Sequence, residues 1–328
     1  MTRYALGRLA TALPILALIS LFTFWAADSI TNPTALIAVN PRITAADRAA
    51  YVEALGLDLP FWQRYFAWLG NFVTGDLGTS LVQNGAEVWP MLRTALANTL
   101  VLLVVAVTAS LLIGIAVGTL GAVRRGSLLD YAATTTSFFG LSIPVFWLGL
   151  MLQLFFGLYF ANWLGVTPPL LPTAGLYSPG QVGFDLVDRA RHLALPAMAL
   201  SLQLVAAYSR YMRSSLLDAL GAEYVRTAYA KGLSERAVVL RHGVRNALIP
   251  VTTLAALDIG LLVGGLIVTE RVFQYPGMGT LFFDAIHAGD YAVLLPVVML
   301  VSGGVFVMSF AADLLYGVLD PRIRRGTG

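Results

Sequence analysis

Residues 223–250 read EYVRTAYAKGLSERAVVLRHGVRNALIP and lie between two long apolar runs. Residues 223–231 have helix-forming character, with Glu223 at the positive N-terminal end. Gly232 is placed to stop that helix as its C′ residue. Ser234 can cap a second helix, with Glu235 in its first turn. On the second helix Leu233, Ala237, Leu240 and Val244 fall at i, i+4, i+7 and i+11, an apolar stripe that leaves Arg236, Arg241 and Arg245 outside it. Upstream, Arg210, Arg213 and the helix-forming run 214–220 carry the preceding apolar segment into water. The stretch therefore predicts a helix–Gly–helix unit with an apolar and a basic face. Such a unit can rest on anionic lipid, cap a helix bundle, or dock into a groove on a partner, and composition does not choose among these.

The flanking runs belong to a set of six. Windows 9–27, 95–123, 131–160, 193–209, 247–268 and 291–312 each approach or exceed the roughly 20 apolar residues that a bilayer core requires. Across all 328 residues 58% are hydrophobic and 12% charged. That is about half the charge of an ordinary soluble domain, so a soluble enzyme, a disordered chain and a coiled coil are poor fits. Cysteine is absent, which excludes disulfides, thiolate metal sites and cysteine nucleophiles. The first window follows Arg3 and Arg8 but is longer than a signal-peptide core and lacks a clear cleavage site, so it reads as an uncleaved span. The fold class expected is all-α, a polytopic membrane protein with six transmembrane helices.

Charge placement orients the spans. Arg3 and Arg8, Arg124 and Arg125, the seven basic residues of 210–245, and Arg322, Arg324 and Arg325 fall on one side of a six-span arrangement. The acidic residues concentrate on the other side. By the positive-inside rule both termini and the 210–245 loop are expected in the cytoplasm, in an inner (cytoplasmic) membrane.

The expected outer loops differ in character. Within 28–93, Thr44 and Asp47 predict a helix over 45–55 ending at Gly56. Asp58 and Pro60 then read as N-cap and first-turn proline of a helix over 61–73. Phe61, Tyr65, Trp68 and Phe72 line one face of it, widened by Trp62 and Phe66; packing and interfacial anchoring explain such a stripe better than a substrate platform. Loop 161–192 is rich in proline and glycine, from Pro168 to Gly180, and reads as irregular. Loop 270–290 contains Pro276-Gly277-Met278-Gly279, a tight-turn sequence.

Chemistry-bearing residues inside the membrane are few. Asp258 lies within the fifth span, where an ionisable group is a functional candidate by default. Without a second intramembrane carboxylate or histidine it reads better as an interior, hydrogen-bonded aspartate than as a proton relay. His192, His242 and His287 have no metal-ligand spacing, so no metal site is expected. Ser142 lies in a span with no histidine in another, which argues against an intramembrane protease. No phosphate-binding G-x-x-x-x-G-K-[ST] loop is present, and the single lysine, Lys231, lies in the central basic loop.

At this point residues 223–232, followed by Asn246 and Pro250, resemble the "EAA" loop of permease subunits from binding-protein-dependent ABC importers. Residues 224–233, YVRTAYAKGL, resemble the form favoured by peptide permeases. Gly75-Asp76-Leu77-Gly78-Thr79-Ser80 is similar to an external-loop element of the dipeptide/oligopeptide permease B subunits. Glu270-Arg271-Val272-Phe273 with Pro276-Gly277-Met278-Gly279, and Asp320-Pro321-Arg322 near the end, are similar to later elements of that family in the same order.

The resemblance implies a type I ABC importer permease (MetI-like) fold. Residues 1–94 would supply the first transmembrane helix and a large external loop, and 95–328 the importer core with a coupling loop at about 214–246. It implies a non-catalytic subunit that holds no cofactor itself, with ATP and Mg bound by two cytoplasmic ATPase partners. A second permease subunit, an external substrate-binding protein and the lipid bilayer complete the partners; nucleic acid is not among them. Glu223, Ala228, Ala230, Lys231, Gly232 and Leu233 would couple to the ATPase, with Glu223 meeting a basic group there and the two alanines allowing close approach. Gly75, Asp76, Glu270, Phe273, Pro276, Gly277 and Gly279 would be external gate or loop positions. Di- or oligopeptides are the substrate expected, with nickel or glutathione as the alternative within the family, and a self-contained secondary transporter as the alternative outside it.

Overall fold

The computed structural model describes residues 2–30, 52, 56, 58–80, 82–83, 85–165 and 169–319. The helix expected over 45–55, apart from residue 52, lies outside the described residues, as do Pro168 and the Asp320-Pro321-Arg322 element. The described chain is helical, with one isolated bridge between Thr79 and Glu87. Among the described residues six helical runs are long and apolar enough to cross a membrane: Ala10–Ser29, Val88–Val123, Val145–Leu164, Leu186–Leu220, Glu235–Leu262 and Tyr291–Ala311.

The chain divides into two compact units. The first comprises residues 1–97 and 277–306. It holds α1 (Thr2–Ile30), α2 (Phe61–Thr74), the start of α3 (Val88–Val123), α10 (Met278–Ala288) and most of α11 (Tyr291–Leu319). The aromatic stripe of α2 is packing: Phe61, Tyr65 and Trp68 close around Phe24 of α1, and the Tyr65 hydroxyl meets that of Ser20 at 2.8 Å. Arg64 of α2 pairs with Asp28 at the end of α1. The α2 cap differs from expectation. The helix begins at Phe61, so Pro60 is the N-cap residue, not the first helical one, and no side chain caps it. Gly75, at φ +87°, ends α2 in the left-handed conformation that glycine adopts without penalty.

The second unit comprises residues 98–276 and 307–328, and α6 (Leu186–Leu220) is its hub. α4 (Leu128–Ser142), α5 (Val145–Leu164) and α8 (Arg245–Gly265) pack on it. The body of α3 approaches closely through glycine. A Cβ on Gly114 would lie 2.8 Å from that of Tyr208, and one on Gly118 would lie 2.5 Å from the Ser209 carbonyl oxygen. Small residues four apart let two backbones meet where lipid offers no hydrophobic drive.

Two expectations are corrected here. The third apolar window, 131–160, is not one helix. Pro144 disfavours helical geometry at the residue before it, so Ile143 turns extended (φ −85°, ψ 125°) and α4 stops. The Ile143 carbonyl is taken instead by Gln203 Nε2 of α6 at 2.7 Å. The segment 270–290 is likewise not an open loop. Glu270 falls inside α9 (Ile267–Val272), and residues 278–288 form α10.

Candidate functional site

The helix–Gly–helix unit forms in the second structural unit, at the C-terminal end of α6. α7 (Glu223–Ala230) follows a tight turn and runs for two turns. Lys231 is its C-cap, and Gly232 takes φ +79°. The reversal is held by Gly232 N–H donating to the Tyr229 carbonyl at 2.9 Å and Leu233 N–H to that of Ala228 at 3.4 Å. Nothing crowds a Cβ at Gly232, so its φ, not space, requires glycine. Ser234 is the N-cap residue of the next helix by backbone shape, but its side chain makes no cap bond.

The stripe expected on that second helix is corrected. After Glu235–Ala237 the backbone widens into a π-helical segment, Val238–Val244, before α8. Widening each turn shifts the register, so the 3.6-residue pattern fails. Val238, Val239 and Gly243 turn inward, whereas Leu240 is 52% and Leu233 38% exposed. Val238 packs on Val225 and Ala228 of α7, and Leu220 of α6 joins them. Gly243 sits where a Cβ would come 2.8 Å from the Leu216 side chain. Asn246 Nδ2 donates to the Tyr224 hydroxyl at 3.1 Å and to the His242 carbonyl at 2.9 Å, tying α7 to the run that becomes α8.

The sequence-named residues thus separate into two groups. Ala228 is buried, and its small size permits close approach inside this chain. Glu223, Ala230, Lys231, Gly232 and Leu233 stay exposed. Glu223 is paired with Arg226 of its own helix at 2.9 Å in full solvent contact, a bond worth little and easily exchanged. The geometry is a lever: an exposed knuckle fastened to α6 on one side and α8 on the other.

An ion pair that sequence reading missed braces the same end. Arg213 of α6 reaches Asp130 with Nε at 2.5 Å and Nη2 at 2.8 Å. The Gly126 amide also donates to Asp130. These bonds hold the Asp130 carboxyl well below the usual carboxylate range, at about 2, with the Arg213 contact the largest cause. Ser127 capping α4 through the Asp130 amide was the available local signal; the partner lies 83 residues away.

At the other end of α6, Glu270 is fully buried and accepts from Thr99 at 2.5 Å. Phe273 and Tyr275 are equally buried. Pro276 gives its carbonyl to Asn98 Nδ2 at 2.9 Å. Burial pushes the Tyr275 phenol up to about 12, so it stays protonated and donates to the Asn98 carbonyl. Glu270 and Phe273 are therefore core residues of this unit. In the first structural unit, Asp76 accepts from the Gly78 amide in a tight turn. Ser80 of the same loop donates to Asp290 at 2.5 Å while receiving the Gln83 amide. Gly277 caps α10 and Gly279 is buried in its first turn. Within the bundle, Asp258 of α8 is half-buried beside the fully buried Tyr208 hydroxyl of α6, which among the described residues has no partner in bonding geometry.

Comparison with known proteins agrees with this arrangement. Residues 110–325 match the family described as binding-protein-dependent transport system inner membrane component, and residues 1–106 match its N-terminal membrane component. The oligopeptide transport system permease protein AppB of Bacillus subtilis (strain 168) is 39% identical, over 98% of this chain and 99% of that protein. The dipeptide transport system permease protein DppB of Escherichia coli (strain K12) is 36% identical, over 99% of each. A solved inward-facing MetNI methionine ABC transporter superposes with a TM-score of 0.52 at 18% identity, covering 70% of this chain and 96% of that one. The MetI-like fold expected from the resemblance is thus the fold found. The chain belongs to the binding-protein-dependent transport system inner membrane component family.

Proposed function

We propose that this chain is the transmembrane permease subunit of an ATP-driven importer that passes di- or oligopeptides from an external binding protein to the cytoplasm. The observation that carries the reading is the exposed α7 knuckle, fastened at Leu220 and Val238 to two membrane-crossing runs. A partner that gripped this knuckle would move both runs together, which is how rigid-body closure reorients a path. The full-length likeness to permeases named for oligopeptide and dipeptide transport supports the substrate class. In this reading both termini and α7 face the cytoplasm, two ATPase subunits hold ATP and Mg, and a second permease completes the path. The exposed faces of α7, not Ala228, meet the ATPase.

The test is purification of the tagged chain from its own membrane, then reconstitution. Two ATPases and a second permease should come with it. Peptide uptake into proteoliposomes should need both ATP and the loaded binding protein. A homo-oligomer that transports without ATP would overturn the assignment.

A further inference from the structure

Arg189, in the first turn of α6, is half-buried and held from several sides by neutral groups. Its Nη2 donates to Asn98 Oδ1 at 2.9 Å and its Nη1 to the Tyr177 hydroxyl at 3.3 Å. The guanidinium carbon lies 5.9 Å from the ring centres of both Tyr177 and Phe184. Tyr275 also interacts with it from within. Among the described residues no carboxylate lies within ion-pairing distance of this guanidinium. The acids nearest in sequence are occupied. Asp185 caps the Val187 and Asp188 amides, and Asp188 is bound by the Ser178 amide and hydroxyl.

A guanidinium so placed has paid its ordering cost in advance. It presents a fixed fork of donors and keeps part of its surface open. Planar, two-pronged donors match a carboxylate better than any other common anion besides phosphate. Lysine in this place would offer a flexible point charge without the fork.

We propose that Arg189 is a carboxylate-binding residue that receives the C-terminal carboxylate of the arriving peptide. The inference rests on the peptide reading and on the orientation that puts the N-terminal end of α6 outside. Every unmodified linear peptide carries that carboxylate whatever its side chains, so a single Arg189 site would suit many sequences. A carboxylate of the binding protein could meet the same fork, and the two sources separate experimentally.

The experiment uses the complete transporter in proteoliposomes with its binding protein saturated by either a peptide or the same peptide amidated at its C-terminus. Uptake of acid over amide is measured for wild type and for Arg189→Gln, so that the binding protein's own preference cancels. The ratio should fall by about tenfold in R189Q, the size of a lost charge-assisted bond. Arg189→Lys should recover part of it. An unchanged ratio with uptake of both peptides lowered equally would assign the fork to the binding protein and overturn the proposal. An unchanged ratio with full uptake would overturn it as well. Failure of wild type to transport either peptide would instead defeat the peptide reading.

Discussion

Replacing Gly118 by alanine tests whether α3 and α6 touch backbone to backbone. The added Cβ would sit 2.5 Å from the Ser209 carbonyl oxygen, 2.7 Å from Met212 Cβ and 3.1 Å from the Arg213 amide nitrogen. Ordinary contact begins near 3.4 Å, and none of these atoms can swing away because all are backbone or fixed to it. The helices must part by several tenths of an ångström along a packed face. Overpacking of this kind costs about 1–3 kcal/mol. Alanine returns about 1 kcal/mol through its better helix propensity. The balance is a loss of up to about 2 kcal/mol at Gly118.

Gly303 of α11 is the control, since nothing lies within 4 Å of a Cβ there. The same chemical change at that position should be neutral or stabilising by up to about 1 kcal/mol. The assay is the fraction of monodisperse protein left after heating in detergent, read as a midpoint temperature. Gly118→Ala should lower it and Gly303→Ala should not. A Gly118→Ala midpoint at or above wild type, with Gly303→Ala the more harmful, would refute close α3–α6 contact.

Other outcomes follow from single residues. Asp130→Asn should cost about 1–3 kcal/mol at neutral pH through weakened bonds to Arg213. Because the folded carboxyl titrates at about 2, below its ordinary 3.8, the stabilisation is present above pH 4 and disappears as pH falls toward 2. Thermal midpoints of the two proteins should accordingly converge over that interval, and a constant gap would count against the pair. Gln274 takes φ +46°, so Gln274→Gly should relieve about 1–2 kcal/mol of strain against roughly 0.5–1 kcal/mol of added chain freedom. Its midpoint should rise slightly, and a fall would mean the side chain contributes more than the strain costs. Gly232→Ala must hold φ +79° with a Cβ, at about 1–2 kcal/mol, and should loosen the knuckle. Less ATPase should copurify with it, and undiminished recovery would show that the turn geometry is dispensable for docking.

Much of this molecule is legible from residue order. Apolar length reveals six membrane-crossing runs, because a bilayer imposes a minimum that a soluble core does not, but it draws the third across the break at Pro144, where the run begins only at Val145. Gly232 announces a helix end because a left-handed residue is needed there and glycine adopts that conformation without penalty, whereas the same role of Gly75 emerges only in the structure. What stays hidden has two causes. One is a change of helical period. Nothing local marks Val238–Val244 as π-helical, so a stripe drawn at 3.6 residues selects Leu240 when Val239 is the buried neighbour. The other is distance along the chain. Glu270 looks like a loop acid until Thr99 is found 171 residues earlier, and Asp130 looks like a surface charge until Arg213 closes on it. The Gly114–Gly118 spacing was readable as a close helix contact, but its partner on α6 was not.

One helix joins the two ends where these charges collect. α6 has 35 residues, and at 1.5 Å each it is about 52 Å long, against roughly 30 Å of hydrocarbon. About 15 residues must therefore lie beyond the apolar core, shared between its ends. They include Arg189 near one end and Arg213 near the other, each bound by groups from other helices. Between them the glycine face of α3 leaves α6 no space to bend toward it, and α4 and α8 brace it further. A helix stiffened in this way can tilt or shift as a rod but cannot absorb a push locally. A push on α7 reaches α6 through Leu220, and a rod so braced carries it toward the Asn98–Arg189–Tyr177 cluster at the far end. If Arg189 holds the peptide carboxylate, the stroke that turns the path inward also strains or breaks that grip. The site would bind while the transporter faces outward and let go as it turns, without a separate release step.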